Sequence, residues 1–202
     1  TGTYTVIATD NNGCKAQISQ LVDQPVAPLS TTPVITNVLC FGDATGSVDP
    51  GISGGTAPYT YVWSNGTTTP ILNNAPAGNY TLTVTDDRGC QDVYSYTITE
   101  PLAPLSLTLI GTDILCNGEA TGAVEAIVDG GTPGYNYAWS NGGTTATITG
   151  LTANTYDLIV TDNHGCTING SQVLTEPLAP LNATAIITNV DCYGNNSGSI
   201  DV

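Results

Sequence analysis

Over 202 residues the chain carries 17 acidic and only two basic side chains, Lys15 and Arg88, for a formal net charge of −15. That excludes nucleic acid as a partner, because phosphate recognition needs a basic footprint, and it disfavours anionic membrane surfaces for the same reason. No apolar run of about 18 residues is present to insert into a membrane, and with only 9% of residues charged solubility falls to Thr, Ser and Asn, an extracellular style of surface.

The sequence repeats with a period of 76 residues and needs no gaps to align: Cys40, Cys116 and Cys192 fall on one lattice, Cys14, Cys90 and Cys166 on a second, and Tyr4, Tyr80 and Tyr156 on a third. A period of this size is one small domain's worth of chain, so the molecule reads as an array of beads. Residues 1–25 align with the C-terminal part of a unit, 26–101 and 102–177 are complete units, and 178–202 align with the N-terminal part of a further one. The sequence therefore reads as a slice of a longer polypeptide.

Within residues 26–101 there is no helical periodicity; apolar residues alternate and turn residues interrupt them every few positions. Pro33–Leu39 reads as a first strand. Thr45–Ser53 reads as a second, with Pro50 or Gly51 marking a bulge or an edge. The Gly54–Pro58 turn leads into Tyr59–Ser64, a strand closed by Asn65-Gly66, a strong hairpin signal. Thr67–Asn73 holds one or two short strands. Tyr80–Thr85 and a last strand from Cys90 to Thr99 flank the turn Asp86-Asp87-Arg88-Gly89. Glu100-Pro101-Leu102-Ala103-Pro104-Leu105 is a stiff linker, because paired prolines favour extended backbone.

Six or seven short strands, a Trp on the third, and a Gly-x-Tyr opening the penultimate one predict an all-β chain of tandem immunoglobulin-like β-sandwich domains. Trp63, Trp139, Tyr80 and Tyr156 are the expected core aromatics. Where that fold usually carries an inter-sheet cysteine, two residues past the Tyr, stand Val6, Leu82 and Leu158. Such a unit is marginal on its hydrophobic core alone.

The cysteines must then act elsewhere. None forms a C-x-x-C pair, and disulfides imply an oxidising compartment. Cys40 lies between the first two strands and Cys90 beside the last hairpin. In a seven-strand sandwich those loops occupy opposite ends, while disulfide Cα atoms must approach within roughly 7 Å. In a tandem array the bottom of one bead meets the top of the next. The preferred pairing is therefore Cys40 with Cys166 across beads, with Cys14, Cys90, Cys116 and Cys192 bonded to repeats outside the sequence. The alternative is a bond inside each unit, Cys40–Cys90 and Cys116–Cys166, which requires an even number of strands.

Several blocks together carry a family resemblance: Cys40-Phe41-Gly42, then Gly54-Gly55-Thr56 running through Tyr59, Tyr61 and Trp63 to Asn65-Gly66, then Gly78-Asn79-Tyr80, then Val84 to Cys90. A second copy lies 76 residues on. This pattern resembles the SprB-type repeat of very large surface adhesins of gliding bacteria, exported by type IX secretion. The resemblance implies a bacterial cell-surface filament or adhesin stalk and no catalytic residues.

Remaining candidates are weighed against plain structure. Asp10, Asp86, Asp87 and Asp162 in the last hairpin, with Asp43 and Glu119 in the first loop, could hold Ca²⁺ where beads meet. Asp, Asn and Gly are also ordinary turn chemistry, Arg88 and His164 interrupt the ligand run, and Asn195 stands at the fourth copy's matching place. No metal or other cofactor is favoured. Tyr59, Tyr61 and Trp63, like Tyr135, Tyr137 and Trp139, share one strand face; outward they would stack on sugars, inward they form the core, which is preferred. His164 replaces Asn12 and Arg88 at its repeat position, which does not suit a catalytic base. Sequons at Asn65, Asn79, Asn169, Asn182 and Asn195 are expected by chance in so Asn- and Thr-rich a chain. The expected function is an extracellular stalk or filament rather than an enzyme, its partners neighbouring repeats and other copies in a filament. The alternative is a repeat module that grips extracellular polysaccharide by avidity.

Overall fold

Short alternating runs broken by Gly, Pro and Asn become eighteen strands and no helix in the computed structural model, which describes residues 1–194 and 196–202. The chain divides into two compact units, Thr1–Pro101 and Leu102–Val202. The first begins with a hairpin, β1 (Gly2–Thr9) and β2 (Lys15–Val22). There follow β3 (Ser30–Thr31), β4 (Val34–Thr36), β5 (Gly46–Asp49), β6 (Ile52–Ser53), β7 (Thr60–Trp63), β8 (Leu72–Ala75), β9 (Gly78–Thr85) and β10 (Gln91–Ile98). The second unit holds β11 (Ser106–Thr112), β12 (Gly122–Asp129), β13 (Asn136–Trp139), β14 (Thr147–Leu151), β15 (Asn154–Thr161) and β16 (Thr167–Leu174), then a hairpin of β17 (Ile186–Thr188) and β18 (Ser199–Asp201).

Each complete repeat is an immunoglobulin-like sandwich of two antiparallel sheets. In the first repeat the sheets are β4-β5-β8, extended by β3-β6, and β7-β9-β10; in the second they are β11-β12-β14 and β13-β15-β16. The inner faces meet in one cluster per repeat. Val48 and Leu72 from one sheet pack with Trp63, Leu82, Val84 and Ile98 from the other, and Val124 and Ile148 pack with Trp139, Leu158, Val160 and Leu174. Trp63 is 1% exposed and Trp139 4%. Each indole N–H donates to a backbone carbonyl, Trp63 to Thr69 and Trp139 to Thr145, both at 2.9 Å, as a buried indole requires. Tyr80 donates to the Pro76 carbonyl at 2.9 Å and Tyr156 to that of Thr152 at 3.0 Å. These are the tyrosine corners of the fold.

The two repeats differ where proline differs. In the first repeat, Pro33 splits the first strand into β3 and β4, and Pro50-Gly51 splits the second into β5 and β6; the Thr32 amide bridges the gap, donating to the Pro50 and Gly51 carbonyls. In the second repeat Leu109 and Ala126-Ile127 take those places, and β11 and β12 run unbroken. A proline supplies no N–H to the ladder, and its replacement restores one.

Several expected boundaries move. The first strand ends at Thr36 rather than Leu39, the third shortens from Tyr59–Ser64 to Thr60–Trp63, the last begins at Gln91 rather than Cys90, and the expected strands in Thr67–Asn73 reduce to β8, Leu72–Ala75. Residues 64–71 cross between the sheets without joining a strand. That crossing matters for loop placement. With split strands counted once, each repeat has six strands, yet the unpaired crossing carries the chain back along the sandwich. The first loop and the last hairpin thus lie at opposite ends, and strand parity does not decide the matter.

In the terminal hairpins the same apolar positions lie open. Tyr4 and Val6 in β1 are exposed, whereas their repeat equivalents Tyr80 and Leu82 are buried; Ile200 in β18 is exposed where Val48 is buried.

Candidate functional site

The two ends of each repeat carry its linkers and its sulfur atoms. At the end where the chain enters, the linker lies on the Gly-Gly turn. The Gly55 amide donates to the Ala27 carbonyl at 2.9 Å, and Gly131 to that of Ala103 at 3.0 Å. Gly54 and Gly130 have φ of +76° and +73°, and a Cβ on either would fall within 2 Å of the Pro28 or Pro104 carbonyl oxygen (1.8 and 1.9 Å). Only glycine permits that approach.

The same turn is held from the last hairpin by a buried aspartate. Asp86 is 5% exposed and Asp162 3%. One Asp86 carboxylate oxygen accepts the Thr56 amide at 3.0 Å, the other those of Arg88 at 3.0 Å and Cys90 at 2.8 Å. Asp162 accepts from Thr132, His164 and Cys166 at 2.8, 2.9 and 2.9 Å. Burial pushes the Asp86 carboxyl up, but the amides of Cys90, Thr56 and Arg88 outweigh it and hold the group below the ordinary aspartate range. Asp162 is lowered likewise: burial opposes, while the amides of Thr132, Cys166 and His164 and the charge of His164 prevail.

At the exit end, a linker glutamate closes on the Cys-x-Gly turn. Glu100 accepts the Gly42 amide at 2.6 Å, and Glu176 accepts that of Gly118 at 2.7 Å. The turns are closed by amide-to-carbonyl bonds from Asp43 to Cys40 and from Glu119 to Cys116, each 3.1 Å. In the second repeat the Asn117 side chain adds a bond to the Pro177 carbonyl at 2.8 Å. Each repeat therefore takes in its chain at one end and releases it at the other. Cys90 and Cys166 sit at the entering end, and Cys40 and Cys116 at the leaving end.

Cys40 and Cys166 are disulfide-bonded, whereas Cys14, Cys90, Cys116 and Cys192 are exposed free thiols. The within-unit pairs Cys40–Cys90 and Cys116–Cys166 would each join a bonded cysteine to a free thiol, and their members lie at opposite ends of a sandwich. Neither pair forms.

The other candidates resolve into structure. Among the described residues no group of three or more His, Cys, Asp or Glu is arranged to hold a metal ion. Asp10 accepts the Asn12 and Cys14 amides at 2.9 and 2.8 Å, as a turn-forming aspartate does; Asp43, Asp87 and Glu119 are exposed. Tyr59 and Tyr61 are half-buried against the Trp63 cluster while Val62 faces outward, and the Tyr59 hydroxyl donates to the Gly54 carbonyl at 2.5 Å. Tyr135 makes the same bond to Gly130 at 2.7 Å. His164 Nδ1 lies 2.8 Å from the Thr132 hydroxyl, at the rim of the turn. The sequon residues Asn65 and Asn79 accept side-chain hydrogen bonds from Thr67 and Thr97; Asn195 lies outside the described residues.

The aspartate and glutamate ties were not identified in the sequence, although the repeat holds a signal for them. Asp10, Asp86 and Asp162 recur while the pair of residues that follows differs from copy to copy, and Gln24, Glu100 and Glu176 all precede a proline.

Residues 32–68 and 108–144, the same stretch of two successive repeats, match the SprB repeat family. The chain carries an SprB-type repeat at two places. No curated protein matches the chain. Solved structures resemble it at low identity. The N-terminal eight immunoglobulin domains of Down Syndrome Cell Adhesion Molecule align at 15% identity over 87% of this chain, with a TM-score of 0.43; the chain spans 28% of that structure. Extracellular domains 3–5 of Drosophila OTK align at 16% identity over 87% of this chain and 71% of theirs, TM-score 0.36. The amphioxus IgVJ-C2 molecule aligns at 16% identity over 72% of this chain and 97% of its own, TM-score 0.31. The pairing of strands and the tyrosine corners, not these likenesses, mark each complete repeat as immunoglobulin-like.

Proposed function

We propose that these SprB repeats form a stretch of an extracellular stalk or filament on a bacterial cell surface, which carries an adhesive element outward. Catalysis plays no part in this reading. One observation carries it. Each repeat admits its chain at one end and releases it at the other, so repeats in series add reach. The linkers are tied down on both sides, by Ala27 and Ala103 on the entering side and by Glu100 and Glu176 on the leaving side, which favours a semi-fixed line over a freely jointed one.

The same reading includes a staple between consecutive repeats, Cys40 with Cys166. Its support is that both residues are disulfide-bonded while the other four cysteines are free. In the entropic model a bond closing so long a loop restricts the unfolded chain by roughly 4–5 kcal/mol, comparable to the whole stability of a small bead. By the same logic Cys14, Cys90, Cys116 and Cys192 take partners in other repeats.

Two measurements test the proposal. Imaging of the native array should show a beaded thread with a spacing of one sandwich, roughly 35–45 Å by strand-length reckoning; a freely jointed coil refutes the stalk. Non-reducing peptide mapping should recover Cys40 joined to Cys166, and a Cys40 thiol that alkylates without reduction refutes the staple.

A further inference from the structure

We propose that Asn117 is a modification site, open to conversion into aspartate and isoaspartate, and that Glu176 and Pro177 of the departing linker guard it. Two hydrogen bonds then set the chemical lifetime of the joint at the leaving end of the second repeat.

Asn117 is followed by Gly118, and glycine has no Cβ to shield its nitrogen from the side chain before it. In the reaction the Gly118 nitrogen gives up its proton and attacks the side-chain carbonyl carbon of Asn117. A C–N bond forms there, the bond to the side-chain nitrogen breaks, and ammonia leaves with the proton. Water then opens the cyclic imide at either carbonyl, which leaves aspartate or isoaspartate at position 117. Asn117 is half-buried and Gly118 exposed, so water reaches the pair.

Both reacting groups are held by the exit linker. The Gly118 amide donates to Glu176 at 2.7 Å, and the Asn117 side-chain nitrogen donates to the Pro177 carbonyl at 2.8 Å. Ring closure needs the Asn117 side chain to fold back over its own main chain, which breaks the bond to Pro177. It also needs the Gly118 nitrogen to turn negative while it faces the Glu176 carboxylate, and a like charge at that distance opposes ionisation.

The other Asn-Gly pairs are restrained differently. The Gly66 and Gly142 amides donate to the Trp63 and Trp139 carbonyls at 2.9 Å, and Gly13 donates to the Asp10 carbonyl at 3.0 Å, each within its own turn. Gly170 lies in the β15–β16 ladder opposite Leu158. At Asn117-Gly118, by contrast, the restraint comes from residues 60 and 58 positions away, so whatever loosens the linker exposes the pair. The first repeat has the same glycine tie, Gly42 to Glu100, but Phe41 stands where the second repeat has Asn117.

Conversion acts back on the joint. Either product replaces the donor that reaches Pro177 with a carboxylate, which cannot donate to a carbonyl. Isoaspartate also lengthens the main chain of the Cys-x-Gly turn by one carbon, which displaces Gly118 from Glu176. A converted joint therefore loses its ties for good.

The test is to hold the folded chain in mildly alkaline buffer, beside the same chain unfolded in urea, and follow isoaspartate at each Asn-Gly pair by peptide mapping. In the folded parent, Asn117 should convert at least about tenfold more slowly than in the unfolded chain, the factor one hydrogen bond to a charged group supplies. Glu176→Ala should raise the Asn117 rate by about the same factor and leave Asn141, in the same repeat, unchanged; Glu176→Gln, which keeps an acceptor, should fall between. An Asn117 that converts as fast folded as unfolded overturns the proposal. So does a slower Asn117 in Glu176→Ala, which would make the carboxylate a base that promotes the reaction. Equal acceleration at Asn117 and Asn141 also overturns it, because the substitution would then act by loosening the whole sandwich.

Discussion

Glu100 accepts the backbone amide of Gly42 at 2.6 Å, which ties the departing linker to the turn that bears Cys40. The corresponding pair in the next repeat, Glu176 and Gly118, shows that the tie is part of the repeat and not an accident of one copy. Removing the carboxylate should therefore loosen the turn and the linker together. Glu100→Ala is expected to cost about 1 kcal/mol, the usual net value of one such hydrogen bond. Chemical denaturation measures that cost, and amide exchange at Gly42 should rise in the variant while amides in β9 stay protected.

Gly54 offers a sharper disruption. Alanine there must both hold a φ of +76° and push its Cβ into the Pro28 carbonyl. The expected loss exceeds the roughly 1 kcal/mol that backbone preference alone accounts for. Limited proteolysis should then cut between Gln24 and Leu29, where the parent resists; Gly66→Ala, whose Cβ would meet nothing, should leave that segment protected.

Acid should weaken each repeat through its buried aspartate. Asp86 and Asp162 have carboxyls lowered in the folded state, so their stabilisation is fully present above the ordinary aspartate value of about 4 and is lost as pH falls through the lower folded value. Melting temperature should thus drop below that point. Asp86→Asn should start from a lower plateau and show a shallower fall. An unchanged acid limb in the double variant Asp86→Asn, Asp162→Asn would mean that other carboxylates govern it.

Trp63 anchors the first repeat. Trp63→Ala should cost about 3–5 kcal/mol, enough to unfold so small a domain. In the parent, emission from Trp63 and Trp139 should be that of buried indoles and should not change on adding polysaccharide. A saturable shift on titration would favour glycan binding by the repeats over the stalk.

Much of the architecture is legible in the sequence because the repeat serves as its own alignment. The spacing of Trp63 and Trp139 and the Gly-x-Tyr motif lead to the sandwich and the tyrosine corners. Pro33 and Pro50 account for split strands in one repeat that are whole in the next. Loop placement is less legible, because residues 64–71 cross between sheets without pairing, and no periodicity reports an unpaired crossing. Asp86 misleads for a different reason. An aspartate in a hairpin usually faces water, and nothing in its immediate neighbours shows that three amides surround it. The within-unit disulfide is an open alternative in the sequence; hydrogen bonds from the Gly42 amide to Glu100 and from the Thr56 amide to Asp86 place its two cysteines at opposite ends.

The aspartate at the head of each hairpin also frees the residues beyond it. With Asp10, Asp86 and Asp162 organising the loop by main-chain bonds, the following pairs Asn11-Asn12, Asp87-Arg88 and Asn163-His164 can vary without penalty to the fold. Every bead can then wear a different tip on an unchanged body. A long fibre made this way would display a graded series of surface chemistries along its length, each open to selection independently of its neighbours.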